Sequence, residues 1–168
     1  MMPTTVRARL LAFTLTATLS SGCGFKPLAP PDVPFHNLYV VAPDYSSFGA
    51  QFKRYVESYG KRRLAPTPEA AQAVLDVINE TREKQILSLT TAGRVSEFLL
   101  RYQVTFTVRD KAGRELIPAS TIALERDLTY SDEAALGKEN EEAFLYDDMR
   151  NEAIRQVLGR LSAAQIPA

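Results

Sequence analysis

The chain has 168 residues, 45% of them hydrophobic, with one histidine, one cysteine, and 20 basic and 20 acidic side chains. This length and composition suit one ordinary domain with a hydrophobic core. The balanced charge argues against bulk binding to nucleic acid, and a lone cysteine excludes an intramolecular disulfide.

Residues 1–22 have the pattern of an export signal. Arg7 and Arg9 precede an uncharged run over residues 10–19, and small residues follow up to Cys23. The run is too short to span a bilayer, which takes roughly 20 apolar residues. We expect this segment to be removed, which leaves the mature chain with two more acidic than basic side chains.

Cys23 directly follows this signal. The segment 19–23 resembles the cleavage box of bacterial lipoproteins, although Ser20 stands where leucine is usual, so we predict that Cys23 is acylated. Gly24 in place of aspartate resembles the default routing of such lipoproteins to the outer membrane. An ordinary secreted protein with a free thiol is the alternative.

An acylated Cys23 would anchor the chain at a membrane. Each buried methylene contributes about 0.8 kcal/mol, and two or more acyl chains anchor stably. Residues 23–35 then form a tether, since residues 26–34 include four prolines and show no periodicity.

The folded domain begins with a predicted strand and helix. Residues 38–42 form a short apolar run that ends at Pro43, which is typical of a buried strand. Asp44 or Ser46 can then cap a helix that ends near Gly60. The apolar face of this helix consists of Phe48, Phe52, Tyr55, Val56 and Tyr59.

Three further strands are predicted next. Residues 73–79 and 85–89 form one long or interrupted strand, and residues 91–94 turn into the strand that follows. Between residues 98 and 108 the even positions are apolar and the odd ones mostly polar, and the alternation resumes over 122–130 after a turn. Two such runs around a turn with Asp and Gly predict a hairpin.

A final helix begins near Asp132 or Glu133 and ends near Leu161, with Gly137 as a potential break. Its apolar positions, three and four residues apart, are Tyr146, Met149, Ala153, Ile154, Val157 and Leu161.

Residues 36–164 therefore form one predicted α+β domain of order β-α-β-β-β-α, in which two helices cover one face of a mixed four-stranded sheet. The opposite face, which carries Arg101, Gln103, Thr105 and Thr107, is expected to be free.

The sequence lacks the usual combinations for catalysis. His36 is the only histidine and lies at the end of the tether, and no nucleotide-binding glycine pattern or Gly-x-Ser-x-Gly turn occurs. The acidic run from Glu139 to Asp148 could hold a hard cation, but on a helix it is more typical of a solvated face. We predict no catalytic residue, no metal site and no cofactor, and a binding or structural protein instead.

Several segments together resemble the LPS-assembly lipoprotein family, LptE. They are Cys23-Gly24-Phe25, the turn with Ala92-Gly93, the strand opening Ser96-Glu97-Phe98, and the helix opening from Ala135 to Glu142. The resemblance implies an outer-membrane lipoprotein inside the lumen of the LptD β-barrel, as a heterodimer that passes lipopolysaccharide to the outer leaflet. A wide barrel has a polar lumen, which a compact domain can plug.

The resemblance also implies lipopolysaccharide-binding residues. Lys138 matches the lysine of the family's helix opening, and a lysine offers a point charge to lipid A phosphates. Thr90 and Thr91 stand where a second basic residue is expected, so Arg94 is assigned instead. Arg126 is added because it continues the hairpin alternation towards the same end.

A second hypothesis from another class stays open. The chain would then be a free, periplasm-facing lipoprotein that binds a small ligand or serves another envelope transporter. That reading predicts stability without a partner and a concave apolar pocket.

Overall fold

The computed structural model describes residues 37–58 and 63–164. The predictions for the signal peptide, for Cys23 and for the tether lie outside these ranges. The described strands are Asn37–Val41 (β1), Arg63–Leu64 (β2), Ala73–Leu89 (β3), Val95–Asp110 (β4) and Glu115–Thr129 (β5). The helices are Ser47–Ser58 (α1) and Ala135–Ala163 (α2), with short 3-10 turns at Pro68–Ala70 and Asp132–Ala134.

The strands form one mixed sheet in the order β2-β1-β3-β4-β5. β1 runs parallel to both β2 and β3, whereas β3, β4 and β5 form an antiparallel meander. The predicted α+β fold with four main strands and two helices is confirmed. The two-residue strand β2 adds an edge to it beside Leu38.

The hydrophobic core lies between the sheet and the two helices. Leu100, Tyr102, Val104, Phe106 and Val108 are fully buried, as the alternation of β4 predicts. The core residues contributed by the helices are Phe48, Phe52, Val56, Tyr146, Met149, Ala153, Ile154, Val157, Leu158 and Leu161. Since each fully buried side chain of this kind contributes about 1.5–3 kcal/mol, packing holds both helices on the same face of the sheet.

β3 is one continuous strand with a bulge near its middle. Val77 pairs with Phe106 and Asn79 with Thr105, so Ile78 has no partner on β4. The extra residue reverses the alternation. Before the bulge Leu75 and Val77 point into the core, whereas after it the even positions face the helices. A second irregularity follows at residues 86–89.

Glu80, just past the bulge, connects β3 to the start of α1. Its carboxylate accepts hydrogen bonds from the hydroxyls of Ser46 at 2.7 Å and Ser47 at 2.8 Å, and from the backbone N–H of Phe48 at 3.0 Å. The Tyr102 hydroxyl donates a further bond at 2.7 Å. A carboxylate from a strand thus satisfies a free N–H of the helix, as an N-cap side chain would.

α2 continues through Gly137 without a break over its 29 residues. Its length is about 44 Å. The start at Ala135, directly after a 3-10 turn at Asp132–Ala134, agrees closely with the predicted start. Neither of the helices in the described ranges is both long and apolar enough to cross a bilayer.

No helix among the described residues covers the other face of the sheet. Arg101, Gln103 and Thr105 are half-buried there, as expected for an open sheet face. Thr107 differs from the prediction because it is buried and donates a hydrogen bond to the Ile117 carbonyl. Near β1 a small hydrophobic cluster covers part of this face. Ala65 and Ala71 of the segment after β2 pack there against Val74 and Tyr39 of the sheet.

Candidate functional site

The turn between β3 and β4 presents Arg94 at one end of the sheet. The N–H of Thr90 donates to the Arg94 carbonyl at 2.7 Å, and the N–H of Gly93 donates to the Thr90 carbonyl at 2.9 Å. Gly93 has a φ of +75°, which favours glycine. The closed turn fixes the backbone of Arg94, while 63% of its side chain is exposed.

Two carboxylates at the start of the α2 region face Arg94. Its guanidinium lies 3.9 Å from Asp132 and 3.6 Å from Glu133, and all three side chains are exposed. The pKa of Glu133 is lowered by a hydrogen bond from its own backbone and by the charge of Arg94. Because exposed ion pairs contribute about 0–1 kcal/mol, Arg94 can exchange these partners for another anion.

Lys138 lies in the first turn of α2 and is the other predicted cation at this end. Its ammonium is 2.8 Å from Glu141, and only 21% of its side chain is exposed. A cation near a helix N-terminus opposes the helix dipole and costs about 0.3–1 kcal/mol. Helix stability alone would therefore favour an acidic residue at this position.

Lys84 and Arg82 are cations beside α2 that the sequence analysis missed. The bulge at Ile78 turns both towards the helices. The Lys84 ammonium is 2.6 Å from Glu142 and 4.2 Å from the centre of the Phe98 ring. If the strand alternated regularly, without the bulge, both side chains would lie on the open face of the sheet. The only sequence signal for their true position is the absence of apolar residues over 79–85.

Arg82, two residues before Lys84 on β3, packs against two aromatic rings. Its guanidinium carbon lies 5.4 Å from the centre of the Tyr146 ring and 6.0 Å from that of Tyr102. It also donates a 2.7 Å hydrogen bond to the Ser47 hydroxyl. These contacts are within the range of cation–π attraction, so Arg82 is positioned by the fold.

A groove of about 510 Å³ runs between β3 and the first half of α2. It is lined by Arg82, Lys84, Glu139, Glu142, Ala143 and Tyr146. The Tyr146 hydroxyl donates to the backbone carbonyl of Glu83 at 2.7 Å and so attaches the helix to the strand. Burial raises the pKa of Tyr146, and the charge of Glu142 raises it further.

Arg126 lies across β4 from Lys84, since both residues pair with Leu100. Its guanidinium is 3.2 Å from Asp148 and 2.6 Å from Glu152 of α2. Hydrogen bonding to Glu152 and then to Asp148 raises its pKa despite partial burial. Asp148 is about 15 Å along the helix from Lys138. The structure thus brings Arg94 and Lys138 close to the start of α2, whereas Arg126 contacts this helix near its middle, at Asp148 and Glu152.

Two further observations concern metal ligands and cavities in the described ranges. Among these residues no group of three or more His, Cys, Asp or Glu side chains could hold a metal ion. A second cavity of about 250 Å³, close to the turn between β4 and β5, has a mixed lining that includes Val41, Glu69, Val74 and Lys111.

The fold defines the chain as an α+β domain with one covered and one open sheet face, and it can be compared with known proteins. The model of the family "LptE: Lipopolysaccharide-assembly" matches residues 35–161. The chain therefore belongs to the LptE family of lipopolysaccharide-assembly lipoproteins. A search of curated proteins finds no match to it.

Solved structures of lipoproteins have the same fold. The solution structure of uncharacterized lipoprotein B from Nitrosomonas europaea is 34% identical with a TM-score of 0.72, covering 83% of this chain and 91% of that one. Rare lipoprotein B from Shewanella oneidensis is 23% identical with a TM-score of 0.64, covering 76% and 94%. A minor lipoprotein from Acinetobacter baumannii is 26% identical with a TM-score of 0.59, covering 79% and 94%.

Proposed function

We propose that this chain is an outer-membrane lipoprotein that plugs and supports the LptD β-barrel and binds lipopolysaccharide during its assembly at the outer leaflet. The single observation that carries the proposal is the match of the LptE family model to residues 35–161, nearly the whole described domain. The protein acts by binding and carries out no reaction.

The open face of the sheet suits the wall of a barrel lumen. That wall is polar in wide barrels. Around Gln103 the open face carries threonines and ion-paired side chains, with Arg101 located 2.8 Å from Glu125 and 3.5 Å from Glu83. Thr105 and Thr121 share a 2.9 Å hydrogen bond across the strands. Such a face can contact polar groups of a partner without burying an unpaired charge.

Lipopolysaccharide would bind at the end that carries Arg94 and Lys138. Its phosphates need cations, and a lysine supplies a point charge to phosphate. Charge-assisted hydrogen bonds to phosphate are stronger than neutral ones. Arg94 makes exposed pairs with neighbouring carboxylates and Lys138 a partly exposed one, and pairs of this kind are weak enough to be replaced. Arg126 is left out of this proposed site because its guanidinium lies 3.2 Å and 2.6 Å from two carboxylates at once, whereas Arg94 lies 3.6 Å and 3.9 Å from its two and Lys138 has one such partner.

The first described residues lie at the opposite end of β3 from these cations. The described chain begins at Asn37, and the next residue, Leu38, pairs with Ala73 at the start of β3. From there β3 extends to Leu89, beside the turn that carries Arg94. This separation is about 50 Å.

The alternative of a free lipoprotein for small ligands has less support. It needs a concave apolar pocket. Two cavities in the described part of the chain, of about 250 and 510 Å³, both include charged side chains in their linings. Neither resembles an enclosed apolar pocket.

The binding proposal is tested with full-length protein and purified lipopolysaccharide. Lys138→Asp should weaken binding at least tenfold, because it replaces an attractive charge by a repulsive one. Lys111→Asp is the matched control, since Lys111 is an exposed lysine in the turn at the other end of the sheet. Equal affinity of the two variants would contradict the proposed site.

A further inference from the structure

We propose that Lys84 is a third cation of the lipopolysaccharide site and that Glu142 is its internal counter-ion, which a phosphate of the lipid headgroup replaces on binding. The groove between β3 and α2 would thus accept the phosphorylated sugar of lipid A. This inference rests on the proposed function and adds to it a residue that binds and a residue that opposes binding.

Lys84 is positioned by contacts that do not depend on a ligand. The bulge at Ile78 directs it towards α2, and its ammonium lies 4.2 Å from the centre of the Phe98 ring. Phe98 in turn packs edge to face against Tyr130, with ring centres 5.2 Å apart. The flexible lysine is therefore held over a fixed aromatic surface, which lowers the entropy that binding has to remove.

Lys138 lies beside the groove on α2, although it is not one of the residues that line it. Glu142, the partner of Lys84, lies one helical turn after Lys138, so the two helical side chains are on one face of α2 with Cβ atoms about 5–6 Å apart. The side chain of Lys84 is 35% exposed and that of Lys138 is 21% exposed. One anionic group between β3 and α2 could therefore contact both ammonium groups.

Arg82 continues the row of cations along the groove. It is fixed by the Tyr146 ring and by the Ser47 hydroxyl, so it adds positive potential without having to move. The lining of the groove accordingly has two cations of β3, Arg82 and Lys84, opposite two carboxylates of α2, Glu139 and Glu142, around a partly aromatic floor. This arrangement complements a phosphorylated sugar better than it does an apolar ligand.

Carboxylates currently occupy the places that such a phosphate would take. Glu142 lies 2.6 Å from Lys84, and Glu141 lies 2.8 Å from Lys138. A phosphate carries more charge and more acceptor oxygens than a carboxylate, so it can replace these partners. The internal carboxylates then weaken binding, and removing one of them should strengthen it.

The experiment measures the affinity of the full-length protein for purified lipopolysaccharide in detergent, with dephosphorylated lipopolysaccharide as the second ligand. Glu142→Gln should bind the phosphorylated form about threefold more tightly, which corresponds to the loss of one partly exposed ion pair. Lys84→Met should bind it several-fold more weakly. Neither variant should change binding of the dephosphorylated form.

Matched controls come from outside the groove. Glu57→Gln replaces an exposed glutamate of α1 and Lys111→Met an exposed lysine of the β4–β5 turn, so both should bind like the natural protein. Lys84→Arg keeps the charge and should restore most of the affinity. The Tm of each variant is measured as well, to show that it is folded. Misfolding can only lower the affinity, so it cannot explain the gain that we expect for Glu142→Gln.

The outcomes separate this inference from the proposed function. No binding of lipopolysaccharide by the natural protein would overturn both. Weaker binding by Lys138→Asp together with unchanged binding by Lys84→Met and Glu142→Gln would overturn the inference alone. Displacement of the lipid by inorganic phosphate at equal concentration would also overturn it, because the groove would then recognise free phosphate.

Discussion

The hydroxyl of Tyr102 in β4 donates a 2.7 Å hydrogen bond to the carboxylate of Glu80 in β3, and the same carboxylate accepts the N–H of Phe48 at the start of α1. Tyr102 is fully buried. Burial raises its pKa, and the hydrogen bond and charge of Glu80 raise it further, so the phenol stays protonated and keeps donating. One carboxylate thus fixes the position of α1 on the sheet.

Removal of this carboxylate should destabilise the domain. Glu80→Ala leaves the Tyr102 hydroxyl and the backbone N–H of Phe48 without their charged acceptor. Hydrogen bonds to charged groups contribute about 1.5–3 kcal/mol, so we expect the free energy of unfolding to fall by about 2 kcal/mol. Urea denaturation measures the change, with Glu139→Ala at an exposed position of α2 as the control. A loss no larger than that of the control would contradict the capping role.

The same carboxylate makes stability depend on pH. Burial raises the pKa of Glu80, but hydrogen bonds from Ser46, Tyr102, Phe48 and Ser47 outweigh it and lower the pKa below its ordinary value of 4.5. Because its pKa is lowered in the folded state, the Glu80 carboxylate stabilises the fold at pH values above its ordinary pKa. This contribution is lost as the pH falls through the lowered pKa.

The stability difference between the natural protein and Glu80→Gln should therefore be largest near pH 7 and shrink as the pH falls below about 4. Urea denaturation at a series of pH values measures it. A difference that stays constant down to pH 3 would show that the shape of the side chain matters here, and not its charge.

The extra residue in the bulge, Ile78, should affect stability because it shifts the register of β3, and not because of its side chain. Deletion of Ile78 would put Glu80, Arg82 and Lys84 on the open face or turn Leu75 and Val77 out of the core, so we expect loss of cooperative unfolding. Ile78→Ser keeps the extra residue, and because half of this side chain is exposed it should change stability by about 0.5 kcal/mol or less. Circular dichroism during heating compares the two. A deletion variant that unfolds like the natural protein would contradict the account of the register.

Arg126 should act on stability and not on lipid binding. Arg126→Gln leaves Asp148 and Glu152 close together without their shared cation, and we expect a loss of about 1–2 kcal/mol in the free energy of unfolding. Its affinity for lipopolysaccharide should equal that of the natural protein at a temperature where both are folded. A fall in affinity comparable to that of Lys138→Asp would return Arg126 to the site.

The fold could be predicted from the sequence wherever one face of an element is buried. The even residues of β4 and the apolar stripe of α2 lie in the core as their spacing indicates. Gly137 does not interrupt α2, because a glycine costs a helix only about 1 kcal/mol and the packing of the later turns offsets that. Thr107 can be buried because its hydroxyl donates a hydrogen bond to a neighbouring carbonyl. The alternation of polar and apolar residues cannot predict such a bond.

The candidate site could be predicted only in part. Lys138 and Arg94 come from the resemblance to the family, and the structure brings them to one end of the sheet. Lys84 escapes a sequence argument because a single unpaired residue, Ile78, reverses the face on which it lies. The place of Arg126 on its strand is predictable, but the helical carboxylates that hold it depend on how α2 crosses the sheet.

The measurement that tests the central claim most directly is purification of the full-length, tagged protein from outer membranes in mild detergent, with mass spectrometry of what accompanies it. We predict one large β-barrel protein in equal amount that stays bound at high salt, both for the natural protein and for Lys138→Asp. Recovery of the lipoprotein alone would contradict the claim that this domain is the plug of a barrel.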